Sequence, residues 1–391
     1  MAGVTDPDLL GDLSGLLTDE QRQFAALVRS YLDDQIRPHL SDWFEAGHLP
    51  VREIARGLGS LGVLGMQLSD YGCVGADPIS YGVVCTELEA ADSGLRSLVS
   101  VTGSLAMFAL RTYGSQQQRT EWLPALARGE AVGCFGLTEP DAGSDPAAMR
   151  TTAHRTPGGD WLLNGRKMWI TNGSVADIAI VWARTETGIA GFLVPTGTPG
   201  FTAVDIPRKM SLRASITSEL ILDGVRLPAD AVLPDVRGLG SALTCLNEAR
   251  FGIIFGVMGA ARDCLTTALE YAHTRQAFGR PIGSFQLQQR ALVEMAAAYT
   301  SGVLLAHRLG SLKARQGLRP EQVSLGKFAN VSAALGIARQ ARAILGGSGI
   351  TLDYPIVRHL LNLESVLTYE GTHDIHTLIV GAALTGERAF T

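Results

Sequence analysis

The sequence predicts an α+β fold, mostly helical: a helical unit over residues 1–132, a middle antiparallel β-unit over 133–235 and a second helical unit over 236–391. Three observations carry that reading. Apolar residues recur at helical spacing in the first third and again after Gly238. Between about Gly133 and Pro234 they give way to short β-branched and aromatic runs parted by Pro/Gly pairs. A chain of 391 residues, 46% apolar and 18% charged, has enough apolar material for two or three cores.

Thr18 followed by Gln21 makes a capping box, and Phe24, Leu27, Val28, Tyr31, Leu32 and Ile36 form the apolar face of the helix it opens, which Pro38 stops. The spacing predicts further helices over Val51–Leu61, Ile79–Ala91, Arg96–Tyr113 and Gln116–Arg128, with glycine-rich turns such as Tyr71–Gly75 between them. Ile178–Trp182, Gly191–Val194 and Glu219–Leu222 read as strands, separated by Pro157-Gly158-Gly159 and Pro199-Gly200. Helices return over Leu243–Thr274, Phe285–Gln316, Pro320–Leu345 and Thr372–Gly386. A cleft where three such units meet is a common place for a ligand.

Composition narrows the function. The net charge of −5, without any basic stripe, argues against a nucleic-acid partner. No uncharged apolar run reaches membrane-spanning length, so no membrane association is expected. The stretch Met1–Asp6 lacks a basic segment ahead of an apolar core, so no secretory leader is expected. Cys73, Cys85, Cys134, Cys245 and Cys264 are odd in number and have no metal-ligand spacing. Reduced thiols in a cytoplasmic protein are the simplest reading.

The segment Tyr369-Glu370-Gly371-Thr372-His373-Asp374-Ile375-His376 points to chemistry, because a carboxylate shielded from water has a raised pKa and can take a proton from carbon. Upstream, Cys134–Asp145 and Lys167–Asn172 supply Thr138, Thr171 and Trp169. These are the hydroxyls and aromatic wall that a flat heteroaromatic ring needs, although Trp169 reads equally well as β-core. In Thr274–Pro281, Arg275 beside an aromatic suits a diphosphate, or is a solvated helix end. Gly346-Gly347-Ser348-Gly349 follows a helical pattern and no strand, which excludes a dinucleotide fold and leaves a backbone close to a cofactor tail, or a helix stop. His373 and His376 have no evident third ligand, so no metal is expected.

In this order the segments resemble the acyl-CoA dehydrogenase family over essentially the whole chain, and within it the glutaryl-CoA dehydrogenase branch. The resemblance is carried by Cys134–Asp145, Ser211-Leu212-Arg213-Ala214-Ser215, Asp92-Ser93-Gly94 with Arg96-Ser97, and Tyr369–His376. It implies an amino-terminal helical domain, a middle β-barrel-like domain and a carboxy-terminal four-helix bundle in a homotetramer, with FAD between β-domain and bundle. By that resemblance Phe135, Leu137, Thr138, Trp169 and Thr171 surround the flavin ring, and Ser144 touches flavin and substrate. Arg275, Phe278, Gly346 and Gly347 would reach the FAD of a neighbouring subunit, with Thr372 and Asp374 on the diphosphate side. Glu370 matches the catalytic base, and Arg250, Tyr369 and Gly371 the substrate end beside it. Arg96 with Ser97, completed by Glu89, matches a group that holds a distal carboxylate.

The implied reaction is coherent with these residue types. The thioester carbonyl of an acyl-CoA takes hydrogen bonds from the base's own backbone amide and a flavin ribityl hydroxyl. Glu370 removes the α-proton while the β-hydride leaves to flavin N5, and an electron-transfer flavoprotein then collects the electrons. Several positions depart from the glutaryl branch: Leu95 replaces a tyrosine, Asn247-Glu248 a pair of asparagines, Thr102-Gly103 a Gln-Ser and Gly173-Ser174 a Ser-Pro. Two readings stay open. One is oxidation of a glutaryl-like CoA thioester, with or without decarboxylation. The other is a secondary-metabolism flavoenzyme acting on an acyl or aminoacyl thioester of a carrier protein, including non-oxidative ring closure by α-carbanion displacement. A non-catalytic flavin scaffold is disfavoured by the intact Glu370.

Overall fold

The computed structural model describes residues 6–389. Met1–Thr5, within the stretch read for a leader, and Phe390–Thr391 lie outside the described residues.

Helix α1 (Asp19–Gln35) opens on the expected capping box: Gln21 N donates to Thr18 Oγ1 at 3.2 Å and Thr18 N to Gln21 Oε1 at 3.0 Å. Then come α2 (Leu40–Ala46), α3 (Val51–Ser60), a short hairpin of β1 (Ser69–Asp70) and β2 (Cys73–Val74), and α4 (Pro78–Ala91). The single helix expected over Arg96–Tyr113 is three segments: α5 (Ser93–Val99), a π-helical stretch Ser100–Met107, and α6 (Phe108–Tyr113). Val101-Thr102-Gly103, all weak α-formers, lie in the widened part. Helix α7 (Gln116–Ala127) closes the unit.

The middle sheet comprises β3 (Gly133–Gly136), β4 (Thr152–Arg155), β5 (Trp161–Thr171), β6 (Ile178–Thr185), β7 (Gly188–Pro195), β8 (Phe201–Asp205) and β9 (Thr217–Leu227). The expectation of an antiparallel unit needs one correction, since β3 and β4 lie parallel to β6 while the other pairings are antiparallel. Strand direction leaves little trace in a two-residue period. The trace it does leave is β6 itself, apolar and buried from Ile178 to Ala183 as a central strand should be.

The last unit holds α8 (Leu239–Thr274), a hairpin of β10 (Gln276–Ala277) and β11 (Arg280–Pro281), α9 (Gln286–Gln316), α10 (Pro320–Leu345), α11 (Ile356–Thr368) and the short α12 (His373–Thr385). Helix α11 escaped the sequence reading because buried Arg358, His359 and Asn362 break its apolar stripe. Helix α8, about 54 Å long at about 1.5 Å per residue, is the spine against which α4 and α10 pack. The α4 crossing is close: a Cβ on Gly256 would lie 2.2 Å from Glu89 Oε2. Helix α8 and the segment Ser93–Tyr113 are long and apolar enough to cross a membrane, yet 72% and 94% of their most apolar windows are buried in the protein.

Candidate active site

The turn Tyr369–Thr372 between α11 and α12 lies where α8 and α10 bring charge together. Glu370 and Gly371 both have left-handed backbone, φ 53° and 95°. For glutamate that conformation costs about 1–2 kcal/mol, and two cations hold it. Lys327, on α10, donates from Nζ to the carbonyls of Tyr369 at 2.5 Å and Gly371 at 2.7 Å. Arg250, on α8, donates from Nε to the Glu370 carbonyl at 2.6 Å and from Nη1 to Asn247 Oδ1 at 3.0 Å. Three consecutive carbonyls are thus gripped while the Glu370 side chain is left free. Its Oε2 is buried with no hydrogen-bond partner among the described residues. Burial raises the Glu370 pKa, opposed by the charges of Arg96, Lys327 and Arg250. Burial in turn pushes Lys327 below the ordinary lysine range, and Arg250 and Arg96 add to that.

Arg96 reaches the same turn from the amino-terminal unit. Asp92 caps α5, accepting from Gly94 N at 2.7 Å, and its other oxygen takes Arg358 Nη1 at 2.6 Å and Asn362 Nδ2 at 2.9 Å. Asn362 Oδ1 also accepts from Leu212 N at 2.7 Å, so α11 ties the Asp92-Ser93-Gly94 and Ser211–Ser215 motifs into one support. Arg96, only 1% exposed, donates from Nε to Glu89 Oε2 at 2.8 Å and from Nη2 to the Tyr369 hydroxyl. Ser97 Oγ lies 3.4 Å from that hydroxyl. Glu89, Arg96, Ser97, Arg250, Tyr369, Glu370 and Gly371 therefore form one cluster.

His376 faces it from α12. It is buried with no hydrogen-bond partner for either ring nitrogen among the described residues, and burial, then Lys327 and Arg250, push its pKa down to about 3, so the ring is neutral. Thr372 Oγ1 caps α12 by accepting from Ile375 N at 3.2 Å, and Asp374 is exposed in the first turn.

The aromatic expected on the sheet is not core. Register between β5 and β9 slips between Lys167 and Ile170, Trp169 takes φ 63°, and its indole stands 58% exposed. Met168 N donates to the Thr138 carbonyl at 2.8 Å, which sets Thr138 beside the bulge, with Thr171 half-buried at the strand's end. Buried Lys167 bonds to Glu139 Oε1 at 2.8 Å and the Leu137 carbonyl at 3.0 Å, pinning β5 to the segment that follows β3. Phe135 and Leu137 are buried in the core between sheet and helices, and Phe135 packs on Trp182. Ser144 is exposed on a loop with no recorded bond to the Glu370 cluster.

Four further residues lie elsewhere. Arg275 and Phe278 are on the β10–β11 hairpin, and about 37 Å of helix separates Arg275 from Arg250 at about 1.5 Å per residue. Phe278 is 96% exposed beside a surface cavity of about 720 Å³, lined also by Arg280, Phe285 and Leu287. Gly346 and Gly347 are exposed at the end of α10, with nothing within 4 Å of where a Cβ would be. Lys327 was missed, although a signal existed: it shares the buried face of α10 with Val323, Asn330, Val331 and Ala334, where a lysine is out of place.

Comparison with known proteins follows this geometry. Models of the acyl-CoA dehydrogenase N-terminal, middle and C-terminal domains match residues 18–130, 134–225 and 236–385. A glutaryl-CoA dehydrogenase from Mycobacterium smegmatis, solved in complex with FADH2, is 57% identical with a TM-score of 0.97, over 99% of this chain and 100% of that one. The human mitochondrial short-chain specific acyl-CoA dehydrogenase is 33% identical over 94% of this chain and 90% of that protein. The glutaryl-CoA dehydrogenase of Desulfococcus multivorans is 32% identical over 95% and 98%.

Proposed function

The chain belongs to the acyl-CoA dehydrogenase family, and from that premise we propose an FAD-dependent acyl-thioester dehydrogenase with Glu370 as base and a short acidic or polar acyl tail on its substrate. The observation that carries this is the Glu370 carboxylate, its Oε2 buried and unpartnered among the described residues, beside Arg96, Arg250 and Lys327. Such a group is basic enough to take an α-proton, and it is aimed by a backbone it does not itself have to hold.

The residues fit FAD. An exposed indole on a strained bulge beside Thr138 offers a wall for a flat ring, and α12 begins at Thr372 next to the base. When bound, FAD supplies the acceptor for the β-hydride. Arg275, Phe278, Gly346 and Gly347 are too far from Glu370 along their helices to serve the same flavin in one chain, which supports a neighbouring subunit's FAD as their target. Exposed Leu287, Val293, Leu304 and Ile350 on the same unit support a homotetramer. Five unpaired cysteines fit a reducing cytoplasm, and an electron-transfer flavoprotein is the acceptor we infer.

The tail follows from charge. Among the described residues the carboxylates facing Arg96, Arg250 and Lys327 are Glu89 and Glu370, so a substrate carboxylate would balance the cluster. Glu89, bonded to Arg96 through Oε2, keeps Oε1 buried without a partner among the described residues, which suits a hydrogen-bonding tail. With a glutaryl chain, Glu370 takes the α-proton as hydride leaves Cβ for the acceptor that bound FAD would supply, giving the enoyl thioester. The carboxylate on Cγ can then leave as CO2, its electron pair passing into the conjugated thioester as a dienolate that takes a proton at Cγ. Anaerobic glutaryl-CoA is expected to bleach the flavin absorption. No bleaching by any acyl-CoA would sink the CoA assignment.

Leu95, next to Arg96 in the chain, and Thr102 are departures from the branch that keep the second reading in play. There a carrier-bound acyl thioester loses its α-proton and the carbanion displaces a γ-leaving group, closing a ring without oxidation. Product formed with no electron acceptor present, read by mass spectrometry, separates the two.

A further inference from the structure

We propose that Lys327 is a positioning residue that, by gripping the carbonyls on both sides of Glu370, orients and strengthens the Glu370 backbone N–H as donor to the substrate thioester oxygen. This deepens the reading above and rests on Glu370 being the base.

The argument begins with peptide geometry. The carbonyl of Tyr369 and the N–H of Glu370 belong to one peptide unit, and no described peptide is cis. In a trans unit the two dipole ends point in opposite directions. With the carbonyl end fixed 2.5 Å from a buried ammonium, the N–H end faces away from α10. The next unit is held the same way by Arg250, and the one after by Lys327 again. The N–H groups of Glu370, Gly371 and Thr372 donate to no acceptor among the described residues, although all three carbonyls of the turn are bonded to cations. A turn with its acceptors saturated by positive charge and its donors free is built to receive an oxyanion. Charge on the carbonyl also polarises the amide, so the N–H becomes a better donor.

The lysine has no other evident task. It is 1% exposed, on the buried face of α10, and both its hydrogen bonds go to this turn. Its Nζ lies 5.8 Å from the centre of the Tyr369 ring, with Arg96 at 5.6 Å, so two cations fix that side chain too. The groups facing Lys327 are Arg250 from α8, Arg96 from α5, neutral His376 from α12, and Glu370 in the turn itself. A buried cation among two others is unfavourable unless the carbonyls need it.

The test uses the FAD-loaded enzyme and acetoacetyl-CoA, an enolisable thioester whose enolate absorbs in the near ultraviolet without turnover. In the parent protein the bound enolate should persist to lower pH than in Lys327→Met, with the midpoint rising by about one unit, a tenfold weaker stabilisation. For the natural reaction kcat should fall about 10- to 100-fold, short of the loss for deleting a whole oxyanion donor, with KM nearly unchanged. Lys327→Arg keeps the charge and should bring the midpoint back. Lys327→Gln keeps a neutral donor and should recover melting temperature but not the midpoint. A midpoint and kcat unchanged in Lys327→Met, with Glu370→Gln inactive, overturns the role of Lys327 and spares that of Glu370. Full turnover by Glu370→Gln removes the reading beneath both.

Discussion

Glu370-Gly371 and Phe278-Gly279 share a backbone device and differ in everything around it. Each is a bulky residue with φ near 50° followed by a glycine at higher positive φ, 95° in the first and 76° in the second. At Glu370 the surroundings over-determine the turn, with two buried cations on three carbonyls and His376 and Arg250 packed behind the glycine. At Phe278 the chain supplies almost nothing. The ring touches Phe285 at 6.1 Å between centroids and otherwise faces solvent. Strain in an enclosed turn is sustained by its own subunit, whereas strain on an exposed tip awaits a partner. That difference fits the proposal of chemistry at the first turn and an interface at the second.

The largest expected effect is at the enclosed turn. Glu370→Gln should lower kcat by about 1,000-fold or more while FAD content stays at parent level. A smaller loss would mean that another group takes the proton. The pH profile sharpens the point. Glu370 works ionised, and burial raises its pKa, so kcat should fall on the acid side at a pH above the ordinary glutamate value of about 4.3. The Lys327, Arg96 and Arg250 charges oppose that rise, so Lys327→Met should move the acid limb higher still. A limb that moves lower would contradict the electrostatics.

Gly371→Ala comes next. A Cβ there would stand 2.9 Å from His376 Nε2 and 3.2 Å from Arg250 Nη2, at φ 95°, so the turn must shift. A displacement near 1 Å at a reacting group costs about 100-fold in rate. Crystallographic or spectroscopic evidence of an unmoved turn with normal kcat would end the claim that the enclosure is tight.

Much of this was readable in the chain because local chemistry announced it. The Thr18–Gln21 box, the apolar stripes of α1, α9 and α10, and the Tyr369–His376 segment each carry their signal within a few residues. What stayed hidden depends on partners far apart in sequence. Lys327 matters only because the chain returns 42 to 44 positions later with bare carbonyls. Helix α11 was missed because Arg358 and Asn362 are buried by their bonds to Asp92, more than 260 positions away, and not by being apolar. Trp169 gave two readings from composition, and the bulge in β5, set by pairing with β9, removes the one that made it β-core. The parallel pairing of β3 with β6 likewise depends on a crossover, and its one trace in the residue pattern is the apolar run of β6.

On the exposed side, Phe278→Ser should weaken FAD retention about 30-fold, an aromatic-anchor loss near 2 kcal/mol, and should shift the assembly toward smaller species in light scattering. Unchanged flavin content and mass would leave Phe278 without its partner, and the comparison would lose its second half.

The smallest effect expected is at Gly279. Its φ of 76° matches the strain at Gly371, yet an added Cβ meets nothing within 4 Å. Only the intrinsic penalty of a left-handed alanine should remain, about 1 kcal/mol of stability. Denaturant melts of Gly279→Ala and Gly371→Ala compare two positions that both have positive φ, 76° and 95°. If the packing around each turn is what separates them, Gly371→Ala loses several times more stability. Equal losses would mean that backbone strain alone governs both, and that the cations and His376 add no enclosure of their own.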